Sequence, residues 1–308
     1  MRHRGYRGPE DVARLQRFNA EAVAARGMAG HLHVGDIPHR LFNGLRFDGV
    51  ADHLHIWEDA DGEIAAWGGV YPRMAAFDLQ VAPELRDAEP EAELALLAYL
   101  EAETRQRTVG SHTKLETDGF ADDEARLVSL DALGWKRGND PYTLTRRSLD
   151  VVPPVELPPG FFVRAVTGIE DVSRLVDVHS ASFGSHWTEE LYRNVMESPG
   201  YAPERELVIV APSGDFAAFA VTWFDTLNGT GLFEPVGTHR DYRRLGLARA
   251  ILAAGMQRMR RAGLHTALVM YANANESSGP LYRSVGFEPT WTINDYSKPI
   301  DPSEPGAS

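Results

Sequence analysis

The stretch HRDYRRLGLARAIL, His239 to Leu252, decides how the rest of the chain is read. A histidine and three arginines precede Gly246, and a run with apolar residues at helical spacing follows it at once. Leu247, Ile251, Leu252, Gly255 and Met259 fall along one face of that run, which predicts a helix ending before Gly263. A helix that begins at Gly246 leaves its first backbone N–H groups bare beside a residue with no Cβ. Such a start fits a seat for phosphate, and it equally fits an ordinary helix beginning.

Working outward, FFVRAV reads as a strand, and EDVSRLVDVHSASF and WTEELYRNVMES as helices. ELVIVAP and DFAAFAVTWF are β-rich runs joined through Ser213-Gly214, a hairpin signal. GLFEPVGT precedes the arginine-rich stretch as a strand, HTALVMYA follows its helix, and NESSGPLYRSVG and FEPTWTINDYSK close as a short helix and a β segment. The order β-α-α-β-β-β-α-β-α-β describes a mixed, mostly antiparallel sheet flanked by helices, an α/β (α+β) arrangement.

The first half says much of this again. EDVARL at Glu10–Leu15 returns as EDVSRL at Glu170–Leu175, an offset of 160 residues. ADGEIAAW (Ala60–Trp67) is answered by PSGDFAAF (Pro212–Phe219), and LGW (Leu133–Trp135) by VGF (Val285–Phe287), both offset by 152. Three echoes in the same order predict a duplicated domain. Between the copies, DVVPPVELPPG carries four prolines in eleven residues and reads as a stiff connector. The expected organisation is a first copy over 1–150, a linker over 151–160, a second copy over 161–300 and a disordered tail over 301–308.

Composition narrows the function. A net charge of −13 argues against general nucleic-acid binding, which needs clustered Lys and Arg, and suits a cationic or amine ligand. The absence of cysteine removes disulfides, thiolate metal sites and cysteine nucleophiles together, and fits a cytoplasmic protein. No secretory signal is visible behind the basic first residues, and no stretch approaches the ~18 apolar residues that span a bilayer. Two H-x-H pairs, His31/His33 and His53/His55, lack the carboxylate or cysteine that would complete a zinc site, so no metal is expected.

Arg243-Arg244-Leu245-Gly246-Leu247-Ala248 resembles the Arg/Gln-x-x-Gly-x-Gly/Ala signature of the GNAT superfamily of N-acyltransferases. Asn275-x-x-Ser278-x-x-Leu281-Tyr282-x-x-x-Gly286-Phe287 resembles that superfamily's second motif, in order and at the expected separation. The resemblance implies that acetyl-coenzyme A, the acyl donor, sets its pyrophosphate on the N–H groups of Arg244 to Arg249, with Arg243, Arg244 or Arg249 adding charge. It implies that Val236, Gly237 and Thr238 pair with the pantetheine arm through the main chain, one N–H facing the thioester carbonyl. Tyr282 becomes the general acid toward the departing thiolate. Glu234, which differs from Val236 by two and so shares its sheet face, is expected either as the base or as a structural or substrate-orienting glutamate. Asn275 is expected either to contact the cofactor or to N-cap a helix that Pro280 makes start late, at Ser278.

The first copy keeps the frame without the chemistry. Its counterpart of the phosphate stretch, LQVAPELRDAEPEAELALL, has no glycine at the helix start and acids where arginines stand in the second copy. Counting back four from Gly134, as Tyr282 stands four before Gly286, lands on Leu130, which has no proton to give. A tandem layout with an inactive first copy is similar to the mycothiol synthase-like group. The expectation is therefore an enzyme moving an acetyl group from acetyl-coenzyme A to a small-molecule amine by direct attack in a ternary complex. A non-catalytic acyl-coenzyme A sensor or scaffold and a protein lysine or N-terminal acetyltransferase are the alternatives.

Overall fold

The computed structural model describes residues 1–300, and the tail expected over 301–308 lies outside the described residues. The described residues divide into two compact units: the first holds Met1–Thr143, Ala272–Ala274 and residues 291–300, and the second holds Leu144–Tyr271 and Asn275–Thr290.

Over the first half the elements run β1 (Arg2–Gly5), α1 (Pro9–Arg26), α2 (Asp36–Pro38), β2 (Leu54–Glu58), β3 (Ile64–Tyr71), β4 (Ala76–Val81), α3 (Pro83–Ala88), α4 (Pro90–Arg107), β5 (Lys114–Phe120), α5 (Glu124–Ala132), β6 (Lys136–Arg137) and β7 (Tyr142–Ser148). The second half continues with β8 (Phe162–Ala165), α6 (Val172–Phe183), α7 (Glu189–Met196), β9 (Glu206–Val210), β10 (Phe216–Asp225), β11 (Thr230–Thr238), α8 (Leu247–Arg261), β12 (Thr266–Ala272), α9 (Ser278–Ser284) and β13 (Glu288–Pro299).

In each unit a twisted mixed sheet is covered on both faces, which is why β3 and β10 read as almost unbroken apolar runs. In the first unit Leu96, Leu97 and Leu100 of α4 and Leu130 of α5 build one core, and Val12, Leu15 and Phe18 of α1 build another. In the second unit Ile251, Leu252 and Met256 of α8 pack with Tyr282 of α9, while Leu175 and Val178 of α6 pack with Tyr192 of α7.

The duplication survives as matched hydrogen bonds. Arg4 donates through Nη1 and Nη2 to the two carboxylate oxygens of Asp11 at 2.8 and 2.7 Å, and the Arg7 N–H donates to the same carboxylate at 2.8 Å. One hundred and sixty residues later Arg164 donates to Asp171 at 2.7 and 2.7 Å, and the Thr167 N–H donates at 2.9 Å. Gly8 and Gly168, at φ 144° and 142°, turn the chain into both clamps. Burial alone would raise the Asp171 carboxyl, but Arg164 and the Thr167 N–H outweigh it and hold it well below the ordinary range. Asp11 is lowered by the same balance, with Arg4 in the part of Arg164.

Two segments differ from the sequence reading. The closing β segment, expected with the second copy, sends its later residues to the first unit: Ile293 to Pro299 pair antiparallel with Phe120 to Lys114 of β5. The proline-rich linker is no free spacer. Val152, Val155 and Leu157 pack on the core of α8 and α9, and Gln257 donates to the Pro153 carbonyl at 3.3 Å.

Candidate functional site

Strand β11 is paired on one side and half open on the other. It runs antiparallel to β10, from Asp225↔Thr230 to Ala218↔Thr238. Its parallel pairing with β12 ends at Phe233↔Val269, and among the described residues that register does not continue to Val236, Gly237 and Thr238. The parting coincides with a bulge: Thr222 faces Phe233 but Ala220 faces Val236. Pro235, which has no N–H to give a ladder, stands inside it. The Trp223 indole N–H donates to the Glu234 carbonyl at 2.7 Å and fixes the bulge from the neighbouring strand. Nothing in the sequence reading marked Trp223, because its role depends on a register that only pairing reveals.

The bulge overturns one argument. Phe233 and Val236 both contribute to the core under α8, so strict alternation fails across the extra residue. Glu234 therefore does not share the face of Val236 by the two-residue period. Gly237 also has a packing reason: a Cβ there would lie 2.4 Å from the Phe219 ring and 2.9 Å from the Ser182 Cβ, so α6 requires a glycine.

Past β11 the chain turns through residues 240–242 into α8. Gly246, at φ 79°, is the N-cap residue and receives no side-chain cap. Arg244 takes φ 69°, a left-handed conformation that costs a non-glycine residue about 1–3 kcal/mol. Left-handed residues two apart curl the chain into the kind of concave amide nest that holds anions. Among the described residues, the backbone N–H groups of residues 244 to 249 make no hydrogen bond of ordinary geometry to the protein. The first carbonyl bond of the helix goes from Ala250 N–H to Gly246, at 3.1 Å. The Arg249 guanidinium folds back to 3.9 Å from where a Gly246 Cβ would stand. Arg243 instead donates to the Ser182 carbonyl at 3.0 Å, which ties it to the end of α6. Six bare N–H groups, a helix N-terminus and a free guanidinium form a cradle with the chemistry of a diphosphate partner.

Tyr282 is buried on α9, 7 % exposed, with its ring against Phe287 and Tyr271. Burial, and after it the Glu234 carboxylate, raises its phenol above the ordinary value. The phenol stays neutral through the physiological range, and the two groups feel each other's charge although alternation does not align them. Asn275 does not cap α9. The N-cap residue is Ser277, and the Asn275 side-chain carbonyl accepts from the Ser277 N–H at 3.2 Å in a turn before a helix that does start at Ser278.

On the α6 side lies a hub that the sequence did not signal. Glu206, fully buried, accepts from Tyr192 at 2.6 Å and Tyr201 at 2.7 Å, and His179 stacks on Phe219 with centroids 3.7 Å apart. It pins α7 and the following loop to the sheet. The histidine pairs fall in the first unit. Burial, ahead of Arg86, lowers His31 to about 4, while His55 joins His3, Trp57 and Tyr99 in an aromatic cluster. Among the described residues, no three His, Cys, Asp or Glu side chains gather as a metal site.

Residues 172–287 match the acetyltransferase (GNAT) family, and nearly all of them lie in the second unit. The chain is 25 % identical over 198 residues to the mycothiol acetyltransferase of Thermobispora bispora, covering 61 % of this chain and 65 % of the relative. It is 30 % identical over 166 residues to that of Rhodococcus erythropolis, covering 46 % of this chain and 52 % of the relative. The chain thus spans between about half and two thirds of the length of these curated relatives. Among solved structures, a tandem GNAT protein from the clavulanic acid biosynthesis pathway has a TM-score of 0.67 at 18 % identity, covering 98 % of this chain and 99 % of that one. A GCN5-related N-acetyltransferase from Sphaerobacter thermophilus has a TM-score of 0.65 at 20 % identity, covering 98 % and 96 %. At those identities the likeness speaks for the tandem fold.

Proposed function

We propose that this chain transfers an acetyl group from acetyl-coenzyme A to the amine of a small molecule, by direct attack within a ternary complex. The observation that carries the proposal is the unbroken run of six acceptor-free N–H groups at residues 244 to 249. A diphosphate needs several donors at once, and the nest supplies them with Arg244 and Arg249 beside it. The open edge of β11 at Val236, Gly237 and Thr238 offers main-chain groups to an extended pantetheine arm, as an added strand would. One of those N–H groups serves the oxyanion that develops during acyl transfer.

Tyr282 donates toward the departing sulfur. A free thiol ionises near ~8.5, well below a raised phenol, so complete transfer from Tyr282 runs uphill. Its contribution is a hydrogen bond that strengthens as charge grows on sulfur, with the proton made good from the attacking amine. Glu234 takes the ammonium proton through water before attack, which suits a carboxylate near the phenol but displaced by the bulge; the second amine proton, lost as the C–N bond forms and the C–S bond breaks, is the one that reaches the sulfur. The chain contains no cysteine to carry an acyl group, which favours direct attack. The relatives' name, mycothiol acetyltransferase, supports a small-molecule acceptor, and the acidic net charge of −13 suits an amine. The domain is read as working in the cytoplasm, where its donor is made.

The test is calorimetric titration of the full chain with acetyl-coenzyme A, followed by thiol release across a panel of small amines and lysine peptides. Saturable binding with turnover on small amines is expected. Binding without turnover on any amine would leave a sensor, and turnover on peptides alone would make it a protein acetyltransferase.

A further inference from the structure

Glu206 opens β9 as a fully buried carboxylate, and the fold does not ask for one there. At the same place in the first copy, 152 residues earlier, β2 opens on the buried Leu54. Taking a carboxylate out of water costs stability, so its presence in one copy alone calls for a reason. Glu206 accepts from Tyr192 at 2.6 Å and from Tyr201 at 2.7 Å. Because the Tyr192 proton goes to the carboxylate, the 2.8 Å contact between that phenol oxygen and His179 Nε2 has the imidazole donating. The imidazole so held lies flat on the Phe219 ring, with centroids 3.7 Å apart and planes at 19°. Phe219 is in turn the cross-strand partner of Gly237. The His239 N–H donates to the Ala217 carbonyl at 3.0 Å. Alternation from that pair makes Phe219 and Gly237 a hydrogen-bonded pair and turns the N–H groups of Val236 and Thr238 away from β10.

The first copy wires the same positions differently. Trp67 stands for Phe219, and its cross-strand partner is Gln80 where the second copy has Gly237. Asn19 stands for His179; it accepts from the Trp67 indole at 2.9 Å and donates to the Gln80 side chain at 2.9 Å. There the strand residue is held by its own side chain. Gly237 has none, so its place is set by the ring beneath it. We infer that Glu206, Tyr192, His179 and Phe219 are positioning residues, which fix Gly237 against β10 and so aim the N–H groups of Val236 and Thr238 at the thioester. The inference rests on the acetyl-coenzyme A reading above and deepens it. A donor serves an oxyanion only when it is aimed beforehand at the place where the charge develops.

The experiment uses the full chain with acetyl-coenzyme A labelled with carbon-13 at the thioester carbonyl. Calorimetry gives the affinity, and isotope-edited infrared spectra give the carbonyl band, which donors on its oxygen move to lower frequency. The unaltered chain should lower the band relative to the free donor. Glu206→Leu, which installs the first copy's residue, should lose about half of that shift or more while affinity stays within about twofold. Glu206→Gln still accepts from one phenol and should recover most of the shift. Phe219→Leu should repeat the loss with the hydrogen bonds of Glu206 intact, and it carries the test if Glu206→Leu does not fold. A shift unchanged in the two leucine variants, lost in step with affinity, or absent from the unaltered chain with donor bound, would overturn the inference. If the unaltered chain binds no acetyl-coenzyme A, the underlying functional reading fails and this inference with it; if it binds and shifts the band whatever stands at 206 and 219, only this inference fails.

Discussion

Helix α8 and helix α4 occupy the same place in two copies of one fold, yet their first turns carry opposite chemistry. α8 opens on a left-handed glycine with bare amides and Arg249 close by. α4 opens on Glu89 and Pro90, with Glu91 and Glu93 in its first turn. Glu93 is buried and accepts from Arg86 at 2.9 Å and Arg126 at 2.5 Å, so the first copy supplies its own anion where the second leaves room for a foreign one. The same contrast recurs at the shorter helix, where Tyr282 of α9 answers to a fully buried Leu130 of α5. Sheets, cores and clamps are shared, so they belong to the fold, and the function we propose rests on a handful of positions grafted onto it.

The largest expected effect tests what the copies share. Asp171→Asn should cost about 3–5 kcal/mol of stability, since it breaks the pairs that a fully buried carboxylate makes with Arg164 and Arg174. Asp11→Asn should cost less, because Glu58 still pairs with Arg4 at 2.8 Å. Both carboxyls lie below their ordinary value, so each clamp stabilises fully above pH ~4 and weakens as pH falls through the folded value. Denaturant melts at pH 7 and pH 3 should therefore show a smaller penalty for the Asn variants in acid.

Next comes the contrast at the shorter helix. Tyr282→Phe should lower kcat about 10²–10³-fold with acetyl-coenzyme A affinity within twofold of the parent, as ~3–4 kcal/mol of transition-state stabilisation is lost. Equal losses of affinity and rate would make the tyrosine a packing residue. Gly246→Val should weaken acetyl-coenzyme A about 10–100-fold, because a β-branched residue resists φ 79° and its side chain crowds the nest. Titration of that variant also probes the first copy: a saturable component surviving at full strength would reveal a second seat and erase the contrast. Smallest of all, Asn275→Ala should move the donor KM by less than about threefold, since the side chain serves a local turn.

The motif around residue 246, its partner at Tyr282 and the duplication were legible because each rests on local sequence with a fixed spacing. The clamps confirm the repeat at the level of individual donors, Arg4 with Arg164 and Arg7 with Thr167. What escaped depends on pairing between distant segments. The bulge at Glu234 and Pro235 shows only as a register slip against β10, and it undid a face assignment that assumed an unbroken strand. The linker's prolines signalled stiffness, but Val152, Val155 and Leu157 between them are what fasten it to the core. Asn275 looked like a cap because Asn favours both caps and turns, and only geometry separates the two.

The pairing of β13 with β5 has a consequence for synthesis. Phe120 meets Ile293, so 173 further residues must leave the ribosome before the fifth strand acquires that neighbour. At ~5–20 residues per second, the wait is roughly 10–35 s, during which the edge of that strand offers free hydrogen-bonding groups to any nascent chain nearby. Chaperone dependence during translation should accordingly be greatest for chains truncated before residue 291 and fall once the last strand has emerged.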